Sequence, residues 1–228
     1  MALKDAESDV DNAITREGKR GMSYENAFGG ILSFMRRNYT KNLAGVDLAV
    51  TGIPFDQAVT NRPGSRFGPR AIREASTLQP CDAPFGWDIN PLLDFDIVDY
   101  GDLAFDYANV AAFPKRLTDH IRGILEHGSG VLSFGGDHYV TFPILRAFVE
   151  KFGPIALVHF DAHSDTWPDD DMERIDHGTM FYKALKEELI IPDKSVQIGI
   201  RTHNDFNAGV HVIAAPQVHS QTPSMTAS

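Results

Sequence analysis

The chain has 228 residues, of which 43% are hydrophobic, and its 31 acidic and 21 basic side chains give a formal net charge of -10. The hydrophobic content excludes a disordered chain, and the length suffices for one domain with a sizeable core. The acidic balance disfavours binding to nucleic acid or to an anionic membrane, and no apolar run approaches the roughly 20 residues that span a bilayer.

The N-terminal segment and the cysteine content indicate the compartment. Residues 1–25 are polar and predict a mobile N-terminal segment. Acidic residues occur in it as early as Asp5, and it lacks the apolar stretch of a secretory signal. The single cysteine, Cys81, cannot form an internal disulfide. We therefore expect a cytoplasmic location.

Short apolar runs alternate with helical patterns through the rest of the chain. In chain order they predict a helix over 31–39, a strand over 46–53, a helix opened by Gly68-Pro69, a strand over 95–98, a helix over 111–127, a strand over 131–134, a helix over 139–152, a strand over 155–160, a helix over 178–189 and a strand over 196–200. The strands are apolar on both faces. This alternation is typical of an α/β domain with a mainly parallel sheet, in which ligands lie beyond the carboxyl ends of the strands.

Two clusters of potential metal ligands follow such strand ends. Asp161, His163 and Asp165 come directly after one apolar run, and alternate residues of a strand share a face. A Gly-Gly-Asp-His sequence ending in His138 follows the preceding predicted strand. We expect the two clusters to form one metal site. Asp137 has a second interpretation, as a carboxylate that orients His138.

The spacing favours two metal ions over one. A strand rises about 3.3 Å per residue, so Asp161 and Asp165 would lie roughly 13 Å apart in an extended chain. One ion cannot take ligands from both ends of that span, whereas two ions about 3.5–4 Å apart can if the chain leaves extended geometry after Asp161. Asp161 would then bridge the ions, with His163 and Asp165 on different ones. Carboxylates and imidazoles without a thiolate favour Mn²⁺, Zn²⁺ or Co²⁺.

Metal-assisted hydrolysis is the reaction that such a site favours. Two bridged divalent cations acidify a shared water near neutral pH. The sequence has no P-loop, no Gly-x-Ser-x-Gly elbow and no Gly-x-Gly-x-x-Gly fingerprint. His177, at the start of a predicted helix, is either a general acid for a leaving amine or an exposed loop residue. The residues alone leave the substrate open.

Five motifs together carry a family resemblance. They are Gly-Ile-Pro-Phe-Asp at 52–56, Arg-Phe-Gly-Pro-Arg-Ala-Ile-Arg at 66–73, Gly-Gly-Asp-His at 135–138, Asp-Ala-His-Ser-Asp at 161–165 and His-Gly-Thr-Met-Phe-Tyr at 177–182. The sequence resembles the ureohydrolase family of arginase, agmatinase and their relatives, and the likeness is closest to agmatinases. The resemblance extends from about residue 25 to about residue 215.

The resemblance implies a fold, residue roles and a reaction. The implied fold is a three-layer α/β sandwich of the arginase type with a mainly parallel sheet, over residues 26–218. Asp161 matches the bridging carboxylate of two Mn²⁺ ions, and His177 matches a histidine of proton transfer or substrate positioning. The implied substrate is a small cationic guanidino compound, and an agmatinase converts agmatine to putrescine and urea. A homo-oligomer is implied for the complete protein. The positions that match manganese ligands are His138, Asp161, His163 and Asp165.

The family pattern includes elements that this sequence lacks. After Arg201 there is Asp205, but there is no Asp-x-Asp pair to complete both metal spheres and no glutamate to hold the guanidinium. We therefore expect a fold that is incomplete at the C-terminus, an unstructured tail over 219–228 and no activity from the chain as written.

Two alternatives stay open beside an agmatinase. A guanidinobutyrase or another ureohydrolase would use the same metals with a different pocket for the tail of the substrate. A non-enzymatic or truncated relative would keep the fold without turnover. The acidic loop 167–176 favours a substrate with an amine tail over one with a carboxylate tail.

Overall fold

The computed structural model describes residues 28–78, 83–206 and 208–227, and these residues divide into two compact units. Within the described ranges, the first unit comprises 28–57 and 61–137, and the second comprises 58–60 and 138–227. The predictions for residues 1–25 and for Cys81 lie outside the described residues.

Three parallel strands form the sheet of the first unit. They are β1 (Leu48–Gly52), β2 (Ile97–Asp102) and β3 (Gly130–Phe134), in the order β2-β1-β3. The central strand β1 pairs on both sides, so that Val50 lies opposite Asp99 in β2 and Leu132 in β3. Ala49 and Val50 are completely buried, as expected for a strand with a neighbour on each side.

The helices of the first unit begin where prolines allow it. They are α1 (Gly68–Ser76), α2 (Pro91–Asp94) and α3 (Phe113–Glu126). Each has a proline in its first turn. Backbone N–H groups there have no acceptor within the helix, so the N–H that proline lacks is not missed. The apolar side chains of α3 recur at the helical period and form its buried face, which consists of Phe113, Leu117, Ile121, Ile124 and Leu125. Short 3-10 helices lie at Phe34–Arg36, Ser65–Phe67 and Val110–Ala112.

The helix predicted over 31–39 is reduced to the 3-10 turn Phe34–Arg36. The buried carboxylate of Asp99 accepts a hydrogen bond from the Phe34 amide at 2.8 Å, and Ser33 Oγ donates to the Arg37 carbonyl at 2.7 Å. A backbone group that is bonded to a side chain is not available for a helical ladder. The contact with Asp99, 65 residues away, and the local bond from Ser33 therefore override the apolar spacing of the segment.

Three parallel strands also form the sheet of the second unit. They are β4 (Val158–Phe160), β5 (Val196–Ile200) and β6 (His211–Ala214), in the order β4-β5-β6. The helices are α4 (Thr141–Phe152), α5 (Met180–Lys186), α6 (Ala215–Ser220) and α7 (Pro223–Thr226), with 3-10 helices at His138–Val140 and Pro192–Lys194. None of the helices in the described ranges is long and apolar enough to cross a membrane.

Strand β4 is shorter and more exposed than its sequence predicts. The predicted strand 155–160 shrinks to three residues, because Ile155 makes only an isolated bridge to Ile190. Val158 and Phe160 are 62% and 74% exposed, whereas His159 between them is buried. The expectation that both faces of this strand are buried is therefore wrong.

The C-terminal residues contain more regular structure than the sequence predicts. The predicted unstructured tail 219–228 contains the short helix α7, and Thr222 caps this helix by accepting a hydrogen bond from the Met225 amide. β6 adds a strand that the apolar pattern did not predict. Thr-Pro at a helix start is a capping signal that acts without apolar periodicity, and so periodicity alone misses it.

Candidate metal centre

Four side chains of the second unit form a group of potential metal ligands. They are His138, His159, Asp161 and Asp165, and one donor atom from each lies within 4.8 Å of the donor atoms of the others. Three of them come from the predicted set, and His159 is the addition. The group consists of two carboxylates and two imidazoles and contains no thiolate. Ligands of these types fit Mn²⁺, Zn²⁺ or Co²⁺.

Asp165 and His138 form the shortest contact of the group. His138 Nδ1 lies 2.7 Å from Asp165 Oδ2 and 3.6 Å from Asp161 Oδ2. Asp165 is buried, and its backbone is left-handed, with a φ of 50°. Such a conformation costs of order 1 kcal/mol for a residue with a Cβ. The chain therefore leaves extended geometry after β4, as the spacing argument required.

Two hydrogen bonds hold this turn against α5. The Phe181 amide donates to the Asp165 carbonyl at 2.9 Å, and the Trp167 amide donates to the Gly178 carbonyl at 3.1 Å. The Phe181 ring then packs edge-on against both imidazoles, at 5.7 Å from His138 and 4.8 Å from His159 between ring centroids. The start of α5 thus fixes the ligand loop and the planes of the two histidine rings.

The two oxygens of Asp161 face different imidazoles. Oδ2 lies 3.6 Å from His138 Nδ1 and 3.6 Å from His159 Nε2. Oδ1 accepts a hydrogen bond from the His163 amide at 2.9 Å and lies 3.3 Å from His163 Nδ1. The His163 side chain is 64% exposed and does not belong to the four-residue group. Its predicted role as a ligand stays a prediction.

His159 is the site residue that the sequence reasoning missed. It occupies the middle of β4, in register with Gln197 of β5, and it is two residues from Asp161. Residues at that spacing share a sheet face, so a histidine inside an apolar run was the available signal. Gln197 Nε2 lies 3.1 Å from His159 Nδ1, and both side chains are buried.

The pKa values of two members of the group, His159 and Asp161, are shifted by their surroundings. Burial and the neighbouring His138 lower the pKa of His159, so its imidazole is neutral at neutral pH. Burial opposes the charge on Asp161. The His163 amide and the imidazoles of His138 and His159 nevertheless hold the pKa of Asp161 below its ordinary value. A neutral imidazole and an ionised carboxylate are the states that a divalent cation requires.

His177 is not a member of the four-residue group. It is half-buried in the turn that precedes α5, and its predicted role in proton transfer stays a prediction. The same loop is anchored by Lys183, which sequence reasoning did not single out. The Lys183 Nζ is fully buried, donates to the Arg174 carbonyl at 2.6 Å and lies 3.1 Å from Asp169 Oδ2.

The acids of loop 167–176 divide into two sets. Asp169 pairs with Lys183, and Asp176 accepts a hydrogen bond from the Gly178 amide at 2.8 Å. These two carboxylates support the loop itself. Asp170, Asp171 and Glu173 are exposed, so they are the loop acids that face solvent.

Comparisons with known proteins agree on one family. Residues 46–227 match the model of the Arginase family. The chain is 55% identical over 210 residues to an agmatinase from Chromobacterium violaceum, covering 92% of this chain and 65% of that protein. It is 44% identical to an agmatinase from Escherichia coli strain SE11, covering 86% of this chain and 63% of that protein. The chain thus spans about two thirds or less of the length of these curated relatives.

Solved structures show the same fold. A crystal structure of a hypothetical agmatinase from Burkholderia thailandensis matches with a TM-score of 0.91 and 47% identity, over 95% of this chain and 69% of that one. The proclavaminate amidino hydrolase of Streptomyces clavuligerus matches with a TM-score of 0.82 and 36% identity, over 89% of this chain and 69% of that one. The predicted arginase-like α/β fold is therefore confirmed.

Proposed function

Because the chain belongs to the arginase family, we propose that the protein hydrolyses a guanidino compound to urea and an amine. Agmatine is the proposed substrate, and putrescine is the amine that its hydrolysis releases. The observation that carries the proposal is the group His138, His159, Asp161 and Asp165, whose donor atoms converge within 4.8 Å.

The donor set fits the divalent cations that the family implies. His138, Asp161, Asp165 and His163 would hold the ions, and the two oxygens of Asp161 lie near His138 and His163, at 3.6 Å and 3.3 Å respectively. Mn²⁺ is the cation that we propose for both positions. Bound divalent cations lower the pKa of water and supply a nucleophile near neutral pH, which a resonance-stabilised guanidinium requires.

The chain's own side chains would perform the remaining tasks. Asp161 stays ionised and offers two oxygens in different directions. We propose that the imidazole of His177 holds the proton that the leaving amine takes up. The exposed acids Asp170, Asp171 and Glu173 would attract a cationic substrate tail, although solvent screens each of them.

A second candidate substrate class has support from one comparison. The Streptomyces clavuligerus protein is an amidino hydrolase for proclavaminate, and it is 36% identical to this chain. The same metal ligands would then act on an amidino compound with a different tail, such as 4-guanidinobutyrate. A carboxylate tail would meet repulsion from the exposed loop acids, and this favours agmatine.

Urea release tests the proposal. The purified chain and a chimera that carries the remaining C-terminal portion of the Chromobacterium violaceum agmatinase would be loaded with Mn²⁺ and given agmatine, arginine and 4-guanidinobutyrate. We expect the chimera to prefer agmatine. We expect little turnover from the 228-residue chain, since its four proposed ligands are too few for two ions that need about ten coordination positions.

Three results of this assay would contradict parts of the proposal. Preference for 4-guanidinobutyrate or arginine would reject agmatine as the substrate. Robust turnover by the 228-residue chain would show that four protein ligands are enough for activity. No urea from any substrate in a folded, Mn²⁺-loaded chimera would favour the non-enzymatic alternative. In the matched variant Asp161→Asn, urea release should disappear.

The proposal includes a compartment and an assembly. We propose a cytoplasmic location, where thiols stay reduced, because the sequence has a single cysteine and so cannot form an internal disulfide. Homo-oligomerisation of the complete protein is proposed from the family resemblance. Sedimentation of the chimera would test the assembly.

A further inference from the structure

His159 presents a buried nitrogen that has no hydrogen-bond partner. The residue is 6% exposed, and its Nε2 atom makes no hydrogen bond. The nearest carboxylate oxygen is Asp161 Oδ2, at 3.6 Å. Leaving a buried polar atom unpaired is costly, so such an atom in an active-site region calls for a functional explanation. The ligand set proposed above gives His159 no role.

Gln197 determines which nitrogen of His159 carries the proton. Gln197 Nε2 lies 2.8 Å from the Ser164 carbonyl oxygen and 3.1 Å from His159 Nδ1. A carbonyl oxygen only accepts, so the amide group of Gln197 directs its NH₂ end to both atoms. His159 Nδ1 must then accept and cannot carry a proton. The one proton of the neutral ring therefore sits on Nε2.

The same contacts fix the direction of this N–H. His159 and Gln197 are directly paired in the register of β4 and β5, so both side chains share one face of the sheet. The Phe181 ring packs against the imidazole at 4.8 Å with an interplanar angle of 62°. Gln197 and Phe181 thus fix the ring, and Asp161 Oδ2, at 3.6 Å, is the carboxylate oxygen within reach of Nε2.

We propose that His159 is a positioning residue that donates its Nε2–H to the Asp161 carboxylate, in a tautomer fixed by Gln197. It does not bind metal itself, because the nitrogen that faces the site has no free lone pair. The His163 amide donates to Asp161 Oδ1 at 2.9 Å, whereas His159 Nε2 lies 3.6 Å from Oδ2. The proposed bond therefore requires these two groups to approach each other by several tenths of an ångström, after which Asp161 is held at both oxygens. The proposal rests on the proposed function only in taking Asp161 as a metal ligand.

The first test reads the tautomer without metal. Two-bond proton–nitrogen correlation spectra of the ¹⁵N-labelled 228-residue chain distinguish the two neutral forms, and the His159→Gln variant identifies the His159 signals by their loss. We expect the Nε2–H pattern. In Gln197→Glu, a carboxylate that only accepts faces Nδ1, so a proton should appear on Nδ1. An Nδ1–H pattern in the wild-type chain would overturn the proposal.

The second test separates positioning from metal binding. His159→Phe keeps a ring but removes the donor, and we expect it to weaken Mn²⁺ binding by about 10-fold or more. The side-chain amide of His159→Gln reaches the position of Nε2, so it should restore affinity to within about threefold of the wild type. Equal losses in the two variants would show that His159 is a ligand, against the proposal. Mn²⁺ affinity is measured by titration with paramagnetic resonance detection.

Matched variants keep the outcomes distinct. The exposed His127 lies in the first unit, and His127→Phe should leave Mn²⁺ affinity unchanged. Circular dichroism confirms that each variant is folded before titration. If the wild-type chain takes up no Mn²⁺, the proposed metal site fails while the nitrogen shifts still decide the tautomer. If His159→Phe binds Mn²⁺ as tightly as the wild type, the positioning role fails and the proposed function stands.

Discussion

Strands β1 and β4 are both short and parallel, yet they differ in what surrounds them. β1 pairs with a strand on each side, and Ala49, Val50 and Thr51 are completely buried. β4 lies at one edge of the described sheet β4-β5-β6, and two of its three residues are largely exposed. The apolar side chains of β1 therefore contribute to stability, whereas those of β4 contribute little.

The difference shows where this chain accepts polar side chains. In β4 the buried position is occupied by His159, and the strand leads directly into Asp161. In β1 the buried polar side chain is Thr51, whose hydroxyl donates to the Gly101 carbonyl at 2.9 Å and accepts from His120 Nε2 at 2.8 Å. Both polar atoms around the Thr51 hydroxyl are thus within the fold, whereas His159 Nε2 has no hydrogen-bond partner in the structure.

The largest effect on stability is expected in the first unit. Phe113 is 1% exposed, and its ring stacks on Phe55 at 3.9 Å. Phe113→Ala removes this contact and leaves a cavity, which should lower the free energy of unfolding by about 3–5 kcal/mol. Urea denaturation followed by fluorescence measures the change. A loss below about 1 kcal/mol would mean that the core of this unit is loosely packed.

The next effect concerns the site and leaves the fold intact. Asp161→Asn keeps the size of the side chain but removes the charge from the residue that faces three imidazoles. We expect Mn²⁺ affinity to fall by about 100-fold or more, with a change in unfolding free energy under about 1 kcal/mol. The control Asp170→Asn removes an exposed loop charge and should alter neither quantity. Unchanged metal content in Asp161→Asn by elemental analysis would remove Asp161 from the ligand set.

Much of this architecture is readable from the sequence, because local signals decide it. The apolar runs of β1, β3 and β5 and the periodic face of α3 predict elements within a few residues of those observed. The motif at 161–165 and His138 predict three members of the observed donor group. In each case, residues close in the chain carry the information.

The remaining features depend on contacts that are distant in sequence. The segment 31–39 loses its helix to Asp99, which lies about 65 residues away along the chain. The orientation of His159 depends on Gln197, its partner on the neighbouring strand, and hydrophobic periodicity does not identify such a partner. Lys183 looks like a surface residue of α5 until Asp169 and the Arg174 carbonyl are seen to pair with it.

A smaller effect depends on pH and arises at His120, in the first unit. Burial lowers the pKa of His120 from 6.5 to about 4. Below about pH 6.5 the unfolded chain binds a proton at this residue that the folded chain does not bind until about pH 4, so the free energy of unfolding falls as the pH falls through that window. Because the ring is partly exposed, we expect a loss of about 1 kcal/mol in all.

The His120→Gln variant isolates this contribution. Its amide does not titrate and can still donate to Thr51, so its stability at pH 7.5 should match the wild type within about 0.5 kcal/mol. Between pH 6.5 and pH 4.5 it should lose less stability than the wild type. The midpoints of urea denaturation at both pH values measure the difference. Equal losses in the two proteins would show that His120 does not cause the fall in stability between these pH values.

The smallest effect is expected from Val158→Thr in β4, and the same substitution in β1 is its comparison. Val158→Thr puts a hydroxyl on the exposed face of β4, where water bonds it, so the free energy of unfolding should change by less than about 0.5 kcal/mol. Val50→Thr puts the same hydroxyl at a completely buried position of β1 and should cost about 1–3 kcal/mol. Light scattering should also fall for Val158→Thr, because a polar side chain on an exposed strand discourages pairing between molecules. Equal costs in the two strands would mean that the exposed face of β4 is covered in solution, and the contrast between a stabilising β1 and a site-bearing β4 would then be lost.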